Sequence, residues 1–329
     1  MKLTRLVEFS SIHLSDPTES DPTINSTTPI VLNQSISLKA KAWRPGFNPS
    51  AIATATYDVS PTPNLIDDAR LFVRQQYLDF LGREPDQSGL AFWTNEITSC
   101  GNNAECIQIK RINVSAAFFL SIEFQQTGYL AERTYKAAFG DSIGSSTFPN
   151  NHQISVPGIS LTDLKIDKEI LSKNLIVGQS GWEDLLEANK KDFYAEVVSR
   201  STFRSAFPPF ATPAATIVDK LNANAGNPLS QVERDALVNS YQNNDQSRIQ
   251  VLRAIVEHPN FVASESNRAF VLMQYFGYLL RNPQHPPDED YTGYDFWLTK
   301  LNQFNGNFID AEMVKAFIVS KEYRHRFGP

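Results

Sequence analysis

The residues best placed to do chemistry occur twice. Asp86-Gln87-Ser88-Gly89 and Asp290-Tyr291-Thr292-Gly293 each join a carboxylate, a hydroxyl and a turn-forming glycine within a few positions. Oxygen donors at that spacing could hold calcium, a hard cation. The dense Asp-x-Asp-x-Asp pattern of acidic calcium loops is missing, so such a site would be weak. The competing reading is helix capping. Ser88 and Thr292 stand one turn before the apolar series Leu90/Trp93/Ile97 and Tyr294/Trp297/Leu301, where a hydroxyl can satisfy the first free N–H groups of a helix. A cap that defines a fold recurs with the fold, so the duplication favours capping, and calcium at Asp86, Ser88, Asp290 and Thr292 is the lesser reading.

Arg83 and Arg281 recur too, as do Glu123 and Glu322. A guanidinium fork can clamp a turn through a carboxylate or a loop carbonyl, or it can receive a substrate anion. Repetition favours the clamp. Trp93 and Trp297 each follow a phenylalanine and could stack on sugars. At helical spacing beside Leu90 and Ile97 they read instead as core anchors. The five histidines, His13, His152, His258, His285 and His325, are scattered, with no metal-ligand spacing. No Gly-x-Ser-x-Gly elbow, phosphate loop or dinucleotide glycine motif is present. Carboxylates are plentiful, but nothing singles out an acid–base pair. The expectation is a chain with no catalytic residue and no cofactor.

Two cysteines, Cys100 and Cys106, flank the short polar loop Gly101-Asn102-Asn103-Ala104-Glu105. They could be reduced thiols; a metal site lacks two further ligands. The reading adopted is a disulfide, which would remove about 2 kcal/mol of unfolded-state freedom and implies an oxidising compartment. Residues 1–30 carry no basic segment followed by an apolar stretch, so no signal peptide is visible.

The elements that must position these residues also repeat. Phe72-Val73-Arg74-Gln75-Gln76-Tyr77 returns as Phe270-Val271-Leu272-Met273-Gln274-Tyr275, at an offset of 198 residues. After a six-residue insertion, Asp86…Phe92-Trp93 returns as Asp290…Phe296-Trp297. A third block, Phe118…Ser121-Ile122-Glu123-Phe124, returns as Phe317…Ser320-Lys321-Glu322-Tyr323. Three blocks in one order establish a duplication. Weaker echoes lie between them: a first helix at 129–140, a closing block at 196–203, and a shorter copy at 217–226 with 251–261. The predicted architecture is mainly α, with three to four degenerate tandem helical repeats stacked along the chain. Residues 141–158, rich in Gly, Ser, Pro and Asn, read as an exposed loop.

Before the repeats, the pattern changes. Ile36-Ser37-Leu38-Lys39-Ala40-Lys41-Ala42-Trp43 alternates with period two, as a half-buried strand does, and 51–59 reads as a second strand. Ser60-Pro61-Thr62-Pro63 is a stiff linker. The expected organisation is a β segment at 1–59, a linker at 60–65, and helical units at 66–128, 129–210, 211–262 and 263–329.

Two resemblances follow from these residues. Leu81-Gly82-Arg83-x-Pro85-Asp86-x-x-Gly89-Leu90-x-Phe92-Trp93, with the match continuing through 112–124, resembles the bacterial domain-of-unknown-function family numbered 4214. That likeness extends more loosely from about residue 66 to the C-terminus. It implies a helical fold found in exported and surface-associated proteins, distantly similar to phycobilisome linker domains, which are scaffolds. It implies no catalytic residues. The fourth unit departs from the pattern by carrying Leu280 in place of Gly82 and by the proline-rich insertion at 284–289. Ser15-Asp16-Pro17-Thr18 and the Lys39-Ala40-Lys41-Ala42 to Tyr57 run are similar to the C-terminal half of a chitobiase/hexosaminidase C-terminal-type β-sandwich. Residues 1–14 do not supply that family's opening strands, so the expectation is an incomplete sandwich in a longer exported protein.

Length and composition agree with this frame. The chain has 329 residues, 41% hydrophobic and 20% charged, with a net charge of −6. That balance argues against a general nucleic-acid binder, and no apolar run is long enough to span a membrane. The function expected is a non-catalytic scaffold or adhesion protein, extracellular or at the cell surface, contacting protein or envelope glycan. The alternative is a glycan-binding accessory module of a larger carbohydrate-active protein, with Trp43 and Trp182 as contacts.

Overall fold

The computed structural model describes residues 4–10, 16–20, 23–24, 35–43, 45–59, 64–208, 212–244 and 247–328. The linker expected at 60–63 lies outside them, as does Ser15. The chain divides into two compact units, Met1–Asp67 with Phe327–Pro329, and Asp68–Arg326.

The first unit is a four-stranded antiparallel sheet in the order β2-β1-β3-β4, with β1 at Thr4–Ser10, β2 at Thr23–Ile24, β3 at Ile36–Trp43 and β4 at Ala53–Tyr57. β3 is the strand its alternation predicts. β1 corrects the expectation that residues 1–14 supply no strand, for it pairs along almost the whole of β3, from Thr4 opposite Trp43 to Ser10 opposite Ser37. Its signal is weak in sequence because Leu6-Val7-Glu8-Phe9 breaks the alternation that a one-sided strand shows. On the far side of β3, Ile36 pairs with Tyr57 and Ala40 with Ala53. Asp16 accepts a 3.0 Å hydrogen bond and ion pair from Lys39.

The second unit is helical apart from one hairpin. In the first repeat, α1 (Ala69–Gln76) runs into a single π turn (Tyr77–Leu81), followed by α2 (Gln87–Thr98), α3 (Ala104–Leu120) and α4 (Ile122–Gln125). The span expected as a second unit holds α5 (Gly128–Phe139), strands β5 (Ser142–Ser146) and β6 (His152–Val156), α6 (Leu161–Leu171), α7 (Trp182–Ser199) and α8 (Ser201–Ala206). The span expected as a third holds α9 (Ala214–Asn224), α10 (Gln231–Gln242) and α11 (Arg248–Val256), and its expected end at 262 falls inside the next helix, α12 (Pro259–Gln274). The last copy, called the fourth repeat below, has α12 with a π turn (Tyr275–Leu279), then α13 (Thr292–Gln303), α14 (Met313–Ile318) and α15 (Lys321–His325). No helix among the described residues is long and apolar enough to cross a membrane.

One backbone device recurs four times along the helical unit. A single extended residue interrupts the helix at Ser121 (ψ 147°), Arg200 (ψ 140°), His258 (ψ 128°) and Ser320 (ψ 147°). Three residues later an aromatic side chain, Phe124, Phe203, Phe261 or Tyr323, is buried. The break turns the chain inward, and the ring anchors the turn in the core.

The repeats do not stack as a simple row. The π turns of the first and fourth repeats meet, with Phe80 packed edge-on against Tyr278 at 5.3 Å between ring centroids. Gln76 accepts a 2.7 Å hydrogen bond from Ser115, which also bonds Tyr278, and Gln76 donates to the Tyr323 hydroxyl. The core therefore joins the two ends of the helical unit. The loop expected at 141–158 is instead the β5–β6 hairpin, in register from Ser142–Val156 to Ser146–His152.

Candidate functional site

The duplicated loops are built alike. Arg83 forks onto Glu123 (Nε–Oε1 2.7 Å, Nη2–Oε2 2.8 Å) and lies over the Tyr77 ring. Arg281 forks onto Glu322, with an Nη2–Oε2 distance of 3.1 Å, and lies over the Tyr275 ring. In both repeats a tyrosine hydroxyl presses on a glycine. A Cβ on Gly89 would sit 2.2 Å from the Tyr77 oxygen, and one on Gly293 would sit 2.5 Å from the Tyr275 oxygen. These glycines are kept small by close approach. Trp93 and Trp297 are half-buried, packed near Phe118 and Phe317 at 5.9 and 5.7 Å.

The caps fall elsewhere than expected. Asp86, not Ser88, caps α2, accepting from the Gly89 N–H at 2.8 Å and from the Ser88 hydroxyl at 2.6 Å. Those two bonds hold its carboxyl below the ordinary range. In the fourth repeat the insertion divides this work: Asp288 pairs with Arg281 at 2.8 Å, while Asp290 accepts from the Thr292 N–H. Thr292 is the first residue of α13 rather than its cap, and its hydroxyl accepts from the Thr147 N–H. The carboxylates proposed for calcium thus already serve the turn, and no cluster of three metal-ligating side chains exists among the described residues. Cys100 and Cys106 are joined in a disulfide, with Cα atoms 5.6 Å apart. Trp43 closes β3 and Trp182 opens α7; both are half-buried.

Sequence reasoning missed a cleft of about 490 Å³ beside the two π turns. Each π turn leaves a carbonyl that a distant cation fills. Lys168 donates to the Phe80 carbonyl at 3.0 Å, and Arg326 donates to the equivalent Tyr278 carbonyl at 2.6 Å. Arg326 also forks onto Asp79, whose carboxyl burial pushes up. Burial brings the Lys168 ammonium down to about 8. Asp79, Lys168 and Arg326 lie far apart in the chain, and the Arg324-His325-Arg326 run reads equally well as an ordinary helix end. No local signal marks this group.

A second missed feature is the seat of the hairpin. Ser145 accepts from the Tyr291 N–H at 2.9 Å, Ser146 donates to Asp295 at 2.7 Å, and Phe148 packs edge-on against Phe296.

Residues 64–128 match the family model described as Domain of unknown function (DUF4214). No curated protein and no solved structure matches the chain. The DUF4214 match spans the first repeat together with its clamp, Arg83 and Glu123, and its close-packed Gly89. The fourth repeat lies beyond the matched residues and reproduces the clamp, the close-packed glycine and the half-buried tryptophan.

Proposed function

We propose that this chain is a non-catalytic scaffold acting outside a bacterial cell and holding other proteins on the outer faces of its helical repeats. The observation that carries this reading is a division of labour between the repeated residues. The recurring polar groups, Arg83/Glu123 and Arg281/Glu322, are spent on one another. The recurring apolar pair Leu120/Val319 is exposed instead, as is Phe92. A fold that keeps apolar side chains exposed at matching positions has surface to offer a partner. The Cys100–Cys106 disulfide agrees with an oxidising compartment.

The test is photo-crosslinking from intact cells with a photoreactive residue at Leu120. The expected result is a discrete protein adduct that is lost when a membrane-impermeant protease is added first. A chain retained in the cytosol with reduced cysteines, or one that forms no protein adduct, would overturn the reading.

A further inference from the structure

The duplication presents one helix start twice, once covered by a hairpin and once bordering an open groove. In the fourth repeat the start of α13 is covered by the hairpin tip. Ser145 accepts from the Tyr291 N–H, Ser146 donates to Asp295, the Thr147 N–H donates to the Thr292 hydroxyl at 2.8 Å, and Phe148 meets Phe296 at 5.2 Å between centroids. The fit is close enough that a Cβ on Gly144 would lie 2.5 Å from the Tyr291 ring.

In the first repeat the corresponding positions are Gln87, Ser88, Ala91 and Phe92. Among the described residues no hairpin lies on them. A groove of about 640 Å³ is lined there by Asp86, Gln87, Ser88 and Ala91, with the 176–179 loop as its other wall. Phe92, beside the lining residue Ala91 but outside the lining, is 58% exposed, whereas Phe296 under its aromatic partner is 36% exposed. The Ser88 hydroxyl gives its proton to Asp86, so its lone pairs remain to accept an N–H. The opening N–H groups of a helix such as α2 have no intrahelical acceptor and can meet an incoming carbonyl.

We propose that this groove docks an extended segment of a partner protein, which sets an aromatic ring on Phe92 and a backbone N–H on Ser88 as residues 145–148 do in the fourth repeat. The proposal rests on the scaffold reading and names its partner's chemistry. One difference sets selectivity. Ala91 stands where Asp295 accepts the Ser146 hydroxyl, so a hydroxyl at that point of the guest would lose its partner, and a small apolar residue fits better.

The probe is a fluorescent peptide of residues 142–156 carrying Ser146→Ala, cyclised head to tail so that the hairpin is formed in advance. It is titrated against the full chain. Saturable binding is expected, weakened about tenfold by Phe92→Ala in the chain or by Phe148→Ala in the peptide, and unchanged by Phe296→Ala. Absence of binding, a loss shared equally by both chain variants, or a loss with Phe296→Ala alone would overturn the proposal; the last would mean exchange with the chain's own hairpin. If the peptide fails to bind while exterior crosslinks at Leu120 persist, only the groove is refuted. Peptide binding by a chain that stays in the cytosol would refute only the scaffold reading.

Discussion

Glu132 is the side chain whose surroundings suit it least. It is buried on α5, and neither carboxyl oxygen has a hydrogen-bond partner among the described residues. Two nearby cations, Lys136 and Arg268, both pair with Glu265 and with Asp141, and a third, Arg133, lies over the Tyr129 ring and donates to the Val256 carbonyl. Burial first, and the charge of Glu265 second, hold the Glu132 carboxyl well above the usual carboxylate range. It is therefore a neutral acid in the folded protein at pH values where the unfolded chain has ionised it. Its contribution to stability is complete below about pH 4.5 and declines as pH rises toward the folded-state value. Glu132→Gln keeps the shape and removes the titration. The variant should match the parent near pH 4.5 and exceed it by about 1–3 kcal/mol at pH 8, read as a pH-dependent gain in melting temperature. Equal destabilisation at both values would show that the carboxyl itself is needed. Little of this was legible in sequence. Tyr129-Leu130-Ala131-Glu132-Arg133 looks like any amphipathic helix, and Glu265 meets it only after the chain has returned. Arg83, Glu123, Gly89 and the disulfide were legible because repetition or loop length marked them.

Elements show where a repeat can diverge. The π turn of the first repeat ends at Gly82 with φ 73°, where a residue without Cβ carries no penalty. The fourth repeat reaches the same left-handed geometry with Leu280, at φ 53° and 41% exposed. A leucine there costs about 1–2 kcal/mol in backbone strain, while its half-exposed side chain returns only part of that in burial. Leu280→Gly should accordingly stabilise the protein by about 0.5–1 kcal/mol, raising its denaturant midpoint without changing the slope of the transition. A lower midpoint would mean that the leucine's contacts in the cleft outweigh the strain. The π turns were not legible in sequence, since both repeats carry the extra residue and their alignment shows no gap. The hairpin at 142–156 was hidden for another reason: its strands are set by docking onto α13, and Ser142-Ile143-Gly144-Ser145-Ser146 has the composition of a loop.

At the scale of the molecule, the contact between the two end repeats decides how the helical unit responds to loss of a part. In a linear array each repeat leans on its neighbours, and removing the last one subtracts a single increment of stability. Here the fourth repeat supplies Tyr278 against Phe80, Tyr323 beside Gln76, and Arg326 to Asp79. Ending the chain at residue 262 would leave Phe80 and Phe119 without their ring partners Tyr278 and Phe270. It would also remove the Arg326 guanidinium from the Asp79 carboxylate. The prediction is that this truncated chain loses cooperative unfolding and most of its helical circular dichroism, whereas the helical unit of the full chain unfolds in one step. Tyr278→Ala in the full chain tests the same contact more gently and should cost about 3–5 kcal/mol. A truncated chain that melts cooperatively, with its helix content per residue intact, would show that the repeats are an ordinary row. The closing contact would then be incidental to the fold. Sequence carried the duplication of the first and last copies, because Arg83/Glu123 and Arg281/Glu322 recur in local blocks; their arrangement depends on Phe80 meeting Tyr278 across 198 residues, which no local pattern encodes.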